Sequence, residues 1–279
     1  MPAGNLKDIL NTAAERLHDL PSARRDAELL LMRAAGRDRA WLMTHADAEL
    51  TAEQISKFEG WVARRVRQEP VQYILGETEF YGLALRVTPD VLIPRPETEH
   101  LVEAVLARVS HDAVVRICDM GTGSGAIAVA LAHALPRAEV TALDISVVAL
   151  EIAKENAARH GVGGRIRFVE SDLLSAVRSE RFDVVVSNPP YVRDDEVLEM
   201  QVREFEPRGA LFAGATGLEV YERLIPEARE ALVPGGWLLM EIGHGQRDAV
   251  ANLLRDWDGV EFVTDLQGIP RVAIAQRRG

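Results

Sequence analysis

The sequence predicts an α/β protein with a mostly parallel sheet, preceded by a small all-α domain and a β-hairpin linker. Three observations carry this reading. From Val114 onward, apolar strand-like runs alternate with helix-like runs, the signature of a parallel sheet covered by helices. One of those strands runs directly into Gly121-Thr122-Gly123-Ser124-Gly125 and then into a helix. The first part of the chain instead carries apolar residues at helical spacing. The expected organisation is a helical domain over 1–75, a hairpin linker over 76–94 and the α/β domain over 95–279.

Each element follows in order. Leu6, Ile9, Leu10, Ala13 and Leu17 mark a first helix. Pro21-Ser22 breaks it, and Ser22 is the expected cap of a second helix that ends at Gly36. A short segment surrounds Trp41 and Leu42. Thr51 starts TAEQISKFEGWVARRVRQ, with Glu53 and Gln54 in the first turn, and Pro70 ends it. EFYGLALRVTP alternates around Gly82 and reads as a hairpin or extended linker. IPRPETEHLVEAVLARV starts a helix, with Pro96 at its first position and Glu97 and Glu99 at its positive end. The strands are VVRICDM, EVTALDI, RIRFVES, FDVVVSNPP and WLLMEIG. Between them lie AIAVALAHAL, VVALEIAKENAARHG and a stretch running from LEVYERLIP to ALVPGG. VEFVTDLQGIPRVAIAQRR closes the sheet as an antiparallel hairpin.

Composition narrows the function classes. The 279 residues are 47% hydrophobic and 27% charged, ordinary for a globular protein. The start MPAGNLKDIL has no basic segment followed by an apolar run, so no signal peptide is expected. No apolar stretch is long enough to span a bilayer, and the cytoplasm is the expected compartment. A single cysteine, Cys118, excludes an internal disulfide and a cysteine-cluster metal site; its place in an apolar strand makes it a packed thiol. The seven histidines show no metal-like spacing, and no metal is expected. A net charge of −11 argues against direct nucleic-acid binding. The densest basic run, WVARRVRQEP, reads as a solvated helix face.

Two motifs carry chemistry. The glycine loop lets the backbone turn sharply beside a ligand, and the helix beyond it offers free N–H groups. Asp144 ends the next strand about 20 residues on, where a carboxylate accepts from ribose hydroxyls. This pair suits S-adenosyl-L-methionine and a nicotinamide dinucleotide alike, since both contain an adenosine ribose. Asn188-Pro189-Pro190-Tyr191 follows FDVVVS at a strand end, where open α/β sheets bind ligands. It suits a planar nitrogen, amide or aromatic amine, whose lone pair is delocalised. The Asn188 side-chain oxygen and the Pro189 carbonyl supply two acceptors for its N–H groups. Pro189 and Pro190 stiffen the backbone that holds them, and Tyr191 offers an aromatic face. Catalysis then rests on positioning and electrostatics.

The chain resembles the HemK/PrmC family of protein-(glutamine-N5) methyltransferases over nearly its whole length. The likeness rests on PVQYILGETEFYGLALRVTPDVLIPRPETEHLVE, DMGTGSGAIAVALA, LDIS, SNPPYV, FEPRGALFAG and PGGWLLMEIG. The resemblance implies a class I (Rossmann-like) methyltransferase domain with a seven-stranded sheet and S-adenosyl-L-methionine as cofactor. The implied substrate is a glutamine side chain in class 1 peptide chain release factors. Carried over by position, Gly121, Thr122, Gly123, Ser124, Gly125 and Asp144 resemble the family's cofactor contacts. Asn188, Pro189, Pro190 and Tyr191 resemble the site for the acceptor glutamine, with Asn188 also beside the cofactor. Leu173 stands where some members carry an aromatic residue against the adenine; it offers apolar contact without stacking. Asp172 has two readings, acceptor for the adenine amino group or cap of the following segment. Asp119 either receives the cofactor's amino group or bonds the loop's own backbone. Arg95 either contacts substrate or cofactor or forms a surface ion pair, and Glu97 can be simply a first-turn acid. Two other enzyme classes compete, a DNA or RNA adenine amino-methyltransferase and a nicotinamide-dependent oxidoreductase; a non-catalytic binding module is disfavoured by the intact NPPY.

Overall fold

The computed structural model describes residues 5–279. Residues 1–4, part of the stretch read above for a signal peptide, lie outside the described residues. The chain divides into two compact units: residues up to Glu77 together with Leu198–Phe205, and Thr78–Val197 together with Glu206–Gly279.

The first unit contains helices α1 (Leu6–Arg16), α2 (Ala23–Ala35), α3 (Arg39–Thr44), α4 (Ala52–Val66) and α5 (Val71–Leu75). Leu10, Leu17, Leu30, Leu31, Phe58 and Val62 bury its core. Thr51 forms a full capping box with Gln54, so two orphan backbone N–H groups are satisfied where α4 starts. Ser22 stands at the N-cap of α2, but its hydroxyl donates to Asp26 Oδ2 at 2.8 Å and caps no backbone group. That carboxylate explains the departure from expectation, since it offers a charged acceptor. Asp26 also accepts from Arg65 Nε at 2.7 Å, with both side chains almost fully buried. WVARRVRQEP is therefore not one solvated face: Arg65 lies inside and Arg64 pairs with Glu69. The sequence reading also missed α5, five residues between Pro70 and Gly76.

The hairpin β1 (Glu77–Phe80) and β2 (Leu83–Arg86) follows, all but its first residue in the second unit. A 3-10 turn, Pro96–Thr98, leads into α6 (Glu99–Leu106), with proline in its first turn. There follow β3 (Arg116–Met120), α7 (Ala126–Ala134), β4 (Glu139–Asp144), α8 (Val147–Arg159), β5 (Ile166–Glu170) and β6 (Phe182–Ser187). After the short β7 (Val192–Arg193) comes α9 (Met200–Phe205), which belongs to the first unit. Next come β8 (Phe212–Gly214), α10 (Glu219–Ala231), β9 (Leu232–Glu241), α11 (Arg247–Leu253), β10 (Asp258–Thr264) and β11 (Pro270–Gln276).

Seven strands form one sheet in the order β10-β11-β9-β6-β3-β4-β5. β9, β6, β3, β4 and β5 run parallel; β11 is antiparallel to both β9 and β10. β9 begins at Leu232, five residues earlier than the tryptophan at which the sequence pattern begins. The pairing jumps from Phe182–Leu232 to Val184–Trp237, and the intervening Val233–Gly236 bulges out. Helix α11 had no counterpart in the sequence reading; it contributes only Val250 to the buried positions of its seven residues.

Strand alternation divides the core into two layers. Ile117, Val184, Val186 and Leu239 face one cluster, while Cys118, Val185, Leu238 and Met240 face the other. Both faces are covered, which is why these strands read as continuous apolar runs. Helix α7 is buried from Ala126 through Ala132, consistent with its having no polar face. The Cys118 thiol is fully buried, and desolvation pushes its pKa well up, as befits a packed side chain.

Replacing Arg65 by alanine is expected to destabilise the protein by about 3–5 kcal/mol, because Asp26 would remain buried without its charge partner. Urea unfolding measures this. The double replacement Asp26→Leu with Arg65→Met should recover most of the loss, and a single-variant loss under about 1 kcal/mol would contradict the buried-pair account.

Candidate active site

Strand order reverses between β3 and β6: β4 and β5 lie on one side, β9 and β11 on the other. Such a switch leaves a crevice at the carboxyl ends of the two central strands. The glycine loop leaves β3 there, and the NPPY tetrapeptide leaves β6. Ser187 Oγ donates to the Met120 carbonyl at 2.9 Å, tying the two strand ends together.

The loop is held from several sides. Gly121 N–H and Thr122 N–H both donate to the Leu143 carbonyl at 2.8 Å. Gly123 N–H donates to Asp144 Oδ2 at 2.8 Å, and Ser146 N–H to Asp144 Oδ1 at 2.9 Å. Gly121, Gly123 and Gly125 all have φ between +54° and +81°, the region that disfavours side chains. A Cβ on Gly125 would come within 2.9 Å of Ala153 Cβ, so the loop is pressed against α8. Buried Asn156 on α8 donates to the Ser124 carbonyl at 2.8 Å and brackets the Arg86 backbone with two more bonds. Sequence reading missed Asn156; an asparagine in an otherwise apolar helix face was its only signal.

Asp119 sits beneath the loop. Its Oδ2 accepts from Thr122 Oγ1 at 2.6 Å and from Ala128 N–H at 3.1 Å. It therefore holds the loop through the Thr122 side chain and through the third residue of α7, where one of the two sequence readings expected the loop's own backbone. Its Oδ1 is buried with no protein partner. Burial raises the Asp119 pKa to about 7. Asp144 is raised too, by desolvation, against the backbone N–H groups that favour its charge.

A cavity of about 340 Å³ opens along the strand ends. This is within the range of small-molecule sites, on the order of 300–1,000 Å³. Gly121, Gly123, Asp144, Asp172, Leu173, Asn188 and Pro190 line it. Thr122, Ser124, Gly125, Pro189 and Tyr191 do not. Thr122 and Ser124 are buried, and Tyr191 packs against the second core cluster. Tyr191 OH donates to Glu241 Oε1 at 3.3 Å, and burial raises its pKa further above the usual phenol range. Gln246 Nε2 donates to the Tyr191 carbonyl at 3.0 Å. Gly217 lets that carbonyl approach, since a Cβ there would meet it at 2.6 Å. Asp172 caps nothing; its carboxylate meets Arg223 Nη2 at 2.7 Å. Ser171 caps instead, its Oγ accepting from Ala176 N–H at 3.1 Å. Leu173 is buried with φ +49° and touches the cavity.

Arg95 pairs with Glu206 at 2.5 Å, and Glu206, almost wholly buried, also accepts from Ile93 N–H at 3.3 Å. The pair is thus half-buried and clamps two segments whose neighbours, Val91, Leu92, Pro207 and Gly209, line the cavity. Glu206 was missed because its partner is 111 residues away. Glu97 sits in the first turn of the Pro96–Thr98 helix.

A family model of the PrmC N-terminal domain matches residues 8–76, and one of the methyltransferase small domain matches residues 97–208. A release factor glutamine methyltransferase of Koribacter versatilis (strain Ellin345) is 48% identical over 277 residues, 98% of each chain. The chain belongs to the release factor glutamine methyltransferase family. Another member, from Geobacter sulfurreducens, is 46% identical over 255 residues, 90% of this chain and 88% of that one. A 16S rRNA N2 G1207 methyltransferase from T. thermophilus, solved in complex with AdoMet and guanosine, shares the fold. Its TM-score is 0.55 at 18% identity, over 72% of this chain and 50% of that one.

As a release factor glutamine methyltransferase, the chain is an enzyme of the class I methyltransferase fold with S-adenosylmethionine as cofactor. The residues present fit that cofactor. Asp90 and Asp144 line the cavity with carboxylates suited to a cation, Asp172 lines it paired with Arg223, and apolar Leu173 and Val220 line it beside them. The sequence relatives, release factor glutamine methyltransferases, do not favour the nicotinamide or nucleic-acid alternatives. Among the described residues no acidic, histidine or cysteine cluster could hold a metal, and no helix is long and apolar enough to cross a membrane.

Asp119 generates a pH prediction. Its folded pKa, about 7, exceeds its ordinary 3.8, so between these values the folded chain holds a proton that the unfolded chain releases. The resulting stability is complete below about pH 4 and is lost as pH rises through 7. The shift corresponds to at most about 4 kcal/mol. Asp119→Asn keeps an acceptor for Thr122 and Ala128 but cannot ionise. Its melting temperature should gain on the unmodified protein as pH rises from 5 to 8. A difference that stays constant with pH would refute the assignment.

Proposed function

We propose that this chain transfers the methyl group of S-adenosylmethionine to the side-chain amide nitrogen, N5, of a glutamine in class 1 peptide chain release factors. The products are N5-methylglutamine and S-adenosylhomocysteine. The carrying observation is Asn188. It lines the cavity at the end of β6, its Nδ2 donates to Thr98 Oγ1 at 3.1 Å, and no described residue donates to its Oδ1. An amide so anchored turns an acceptor toward an incoming N–H group.

The cofactor supplies an electrophilic methyl carbon on a sulfonium. With it bound, transfer would form an N–C bond at the expense of the methyl–sulfur bond, leaving the neutral thioether of S-adenosylhomocysteine, and the surplus amide proton would pass to solvent. In this reading the chain's residues act by holding. Asn188 Oδ1 and the Pro189 carbonyl accept the two amide N–H bonds, which favours a pyramidal nitrogen with its lone pair directed at the methyl group. Pro190 stiffens the turn, and Tyr191 closes it. Asp144, Gly121 and Gly123 take the ribose and amino-acid ends of the cofactor, while Asp172 and Leu173 flank the adenine. Thr122, Ser124 and Gly125 shape the loop. Asp144 already uses both carboxylate oxygens on backbone N–H groups, and each oxygen retains capacity for a ribose hydroxyl. The acceptor chemistry and the −11 charge support a protein partner with no direct nucleic-acid or membrane binding, in the cytoplasm.

The test is incubation with labelled S-adenosylmethionine and purified release factors, followed by peptide mapping. Label on a glutamine side chain is expected. Asn188→Ala should lower single-turnover transfer about a hundredfold while cofactor affinity holds, the scale seen when one preorganised partner is lost. Transfer at the unmodified rate would make Asn188 only a turn residue.

The division at residue 76 adds a second expectation, with 1–75 as the substrate-recognition domain, 76–94 as linker and 95–279 as the methyltransferase domain. A chain beginning at Gly76 should bind the cofactor yet methylate intact release factor poorly. A folded truncation with full activity would overturn this division of labour.

A further inference from the structure

The Asn188 side chain does not stand alone. Thr98, in the turn that follows Arg95-Pro96, accepts from Asn188 Nδ2 at 3.1 Å and donates from Oγ1 to Glu241 Oε2 at 2.5 Å. Glu241 ends β9, and its other oxygen accepts from Tyr191 OH at 3.3 Å. Thr98 and Glu241 are both buried. Three distant segments thus converge behind the NPPY tetrapeptide, and neither Thr98 nor Glu241 lines the cavity.

Hydrogen-bond counting assigns a direction to this line. An asparagine amide presents oxygen on one side and NH₂ on the other, with nearly the same shape, so its neighbours decide which faces the ligand. A threonine hydroxyl has one proton. Two donors, Thr98 and Tyr191, converge on the Glu241 carboxyl, so its oxygens act as acceptors and the Thr98 proton is committed there. Thr98 then has only lone pairs left for Asn188 and selects its NH₂. Oδ1 is turned the other way.

We infer that Thr98 and Glu241 are positioning residues for methyl transfer: Glu241 orients the Thr98 hydroxyl, and that hydroxyl sets which face of the Asn188 amide meets the acceptor nitrogen. This rests on the proposed role of Asn188. It gives the PET segment a function in chemistry, where its sequence suggested only a helix start. Burial raises the Glu241 pKa, the hydrogen bonds from Thr98 and Tyr191 oppose that shift by favouring the charged form, and the smaller influences of Glu97 and Arg271 raise and lower it respectively.

The experiment uses the full chain, release factor and labelled cofactor under single-turnover conditions, with cofactor affinity, substrate KM and melting temperature measured in parallel. Thr98→Val removes the hydroxyl at nearly constant shape. Transfer should fall roughly tenfold, the worth of one buried hydrogen bond, while cofactor affinity and KM hold. Thr98→Ser should restore it to within about threefold, since the hydroxyl returns. Glu241→Met removes the acceptor and frees Thr98 to donate to Asn188 Oδ1; transfer should fall comparably. Because both act through one amide, the double variant should be no slower than the slower single variant.

Transfer by Thr98→Val at the unmodified rate overturns the inference. So does failure of Thr98→Ser to rescue, a multiplicative loss in the double variant, or a loss that tracks cofactor affinity or melting temperature. Asn188→Ala separates the two claims. If it abolishes glutamine methylation while Thr98→Val does not, the inference falls and the proposed function stands. If the unmodified protein places no label on glutamine, both fall.

Discussion

The parallel pairing of β3 with β6 is the constraint on which the rest of the site depends. Met120 pairs with Ser187, and the Ser187 hydroxyl bonds the Met120 carbonyl, so both strands end at one level. Everything chemical begins one residue later. The glycine loop starts at Gly121 and the tetrapeptide at Asn188, which brings two motifs 67 residues apart in sequence to one crevice. A one-residue slip in this register would exchange the two faces of the strand and carry Asn188 away from the loop.

Buried and half-buried polar groups then hold each loop to its strand. Asp119 and Asp144 bond the glycine loop from below and from the side, while Asn156 bonds it from α8. Gln246 and Glu241 do the same for the tetrapeptide, through the Tyr191 carbonyl and hydroxyl. Each is costly to bury unless its bonds are made. Each also fixes a geometry that apolar packing alone would leave loose. The raised pKa of Asp119 measures that tension: a carboxyl is retained where solvation of its charge is poor, one oxygen bonded and the other without a partner.

The cavity carries the sign of its ligand. Three aspartates and one arginine line it, Arg223 pairing with Asp172, so Asp90 and Asp144 give the cavity a net acidic lining that suits the cationic sulfonium and ammonium of S-adenosylmethionine. The Asp172–Arg223 pair at its edge is about half exposed on both sides, so it contributes little to stability. Arg95 and Glu206 differ. Their carboxylate is buried, and it joins the segments on two sides of the same cavity.

Much of this was legible in the sequence because it depends on local patterns. Alternation of apolar runs gave the strands, glycine spacing gave the loop, and Asn188-Pro189-Pro190-Tyr191 marked a turn at the end of a strand. The resemblance then supplied the seven-stranded architecture and the substrate. What stayed hidden depended on partners distant in the chain. Arg65 read as a solvated residue until Asp26 proved to lie beside it, and Ser22 read as a cap until the same carboxylate claimed its hydroxyl. Asp172 and Tyr191 were assigned by position, yet Arg223 and Glu241 decide where their side chains rest. The sequence by itself determined which residue types reach the crevice, since backbone pattern is a short-range property. Only the tertiary structure decided which way Asn188 faces, because an amide is nearly symmetric in shape and its direction is set by a proton on Thr98 and a carboxylate on a strand 143 residues further along.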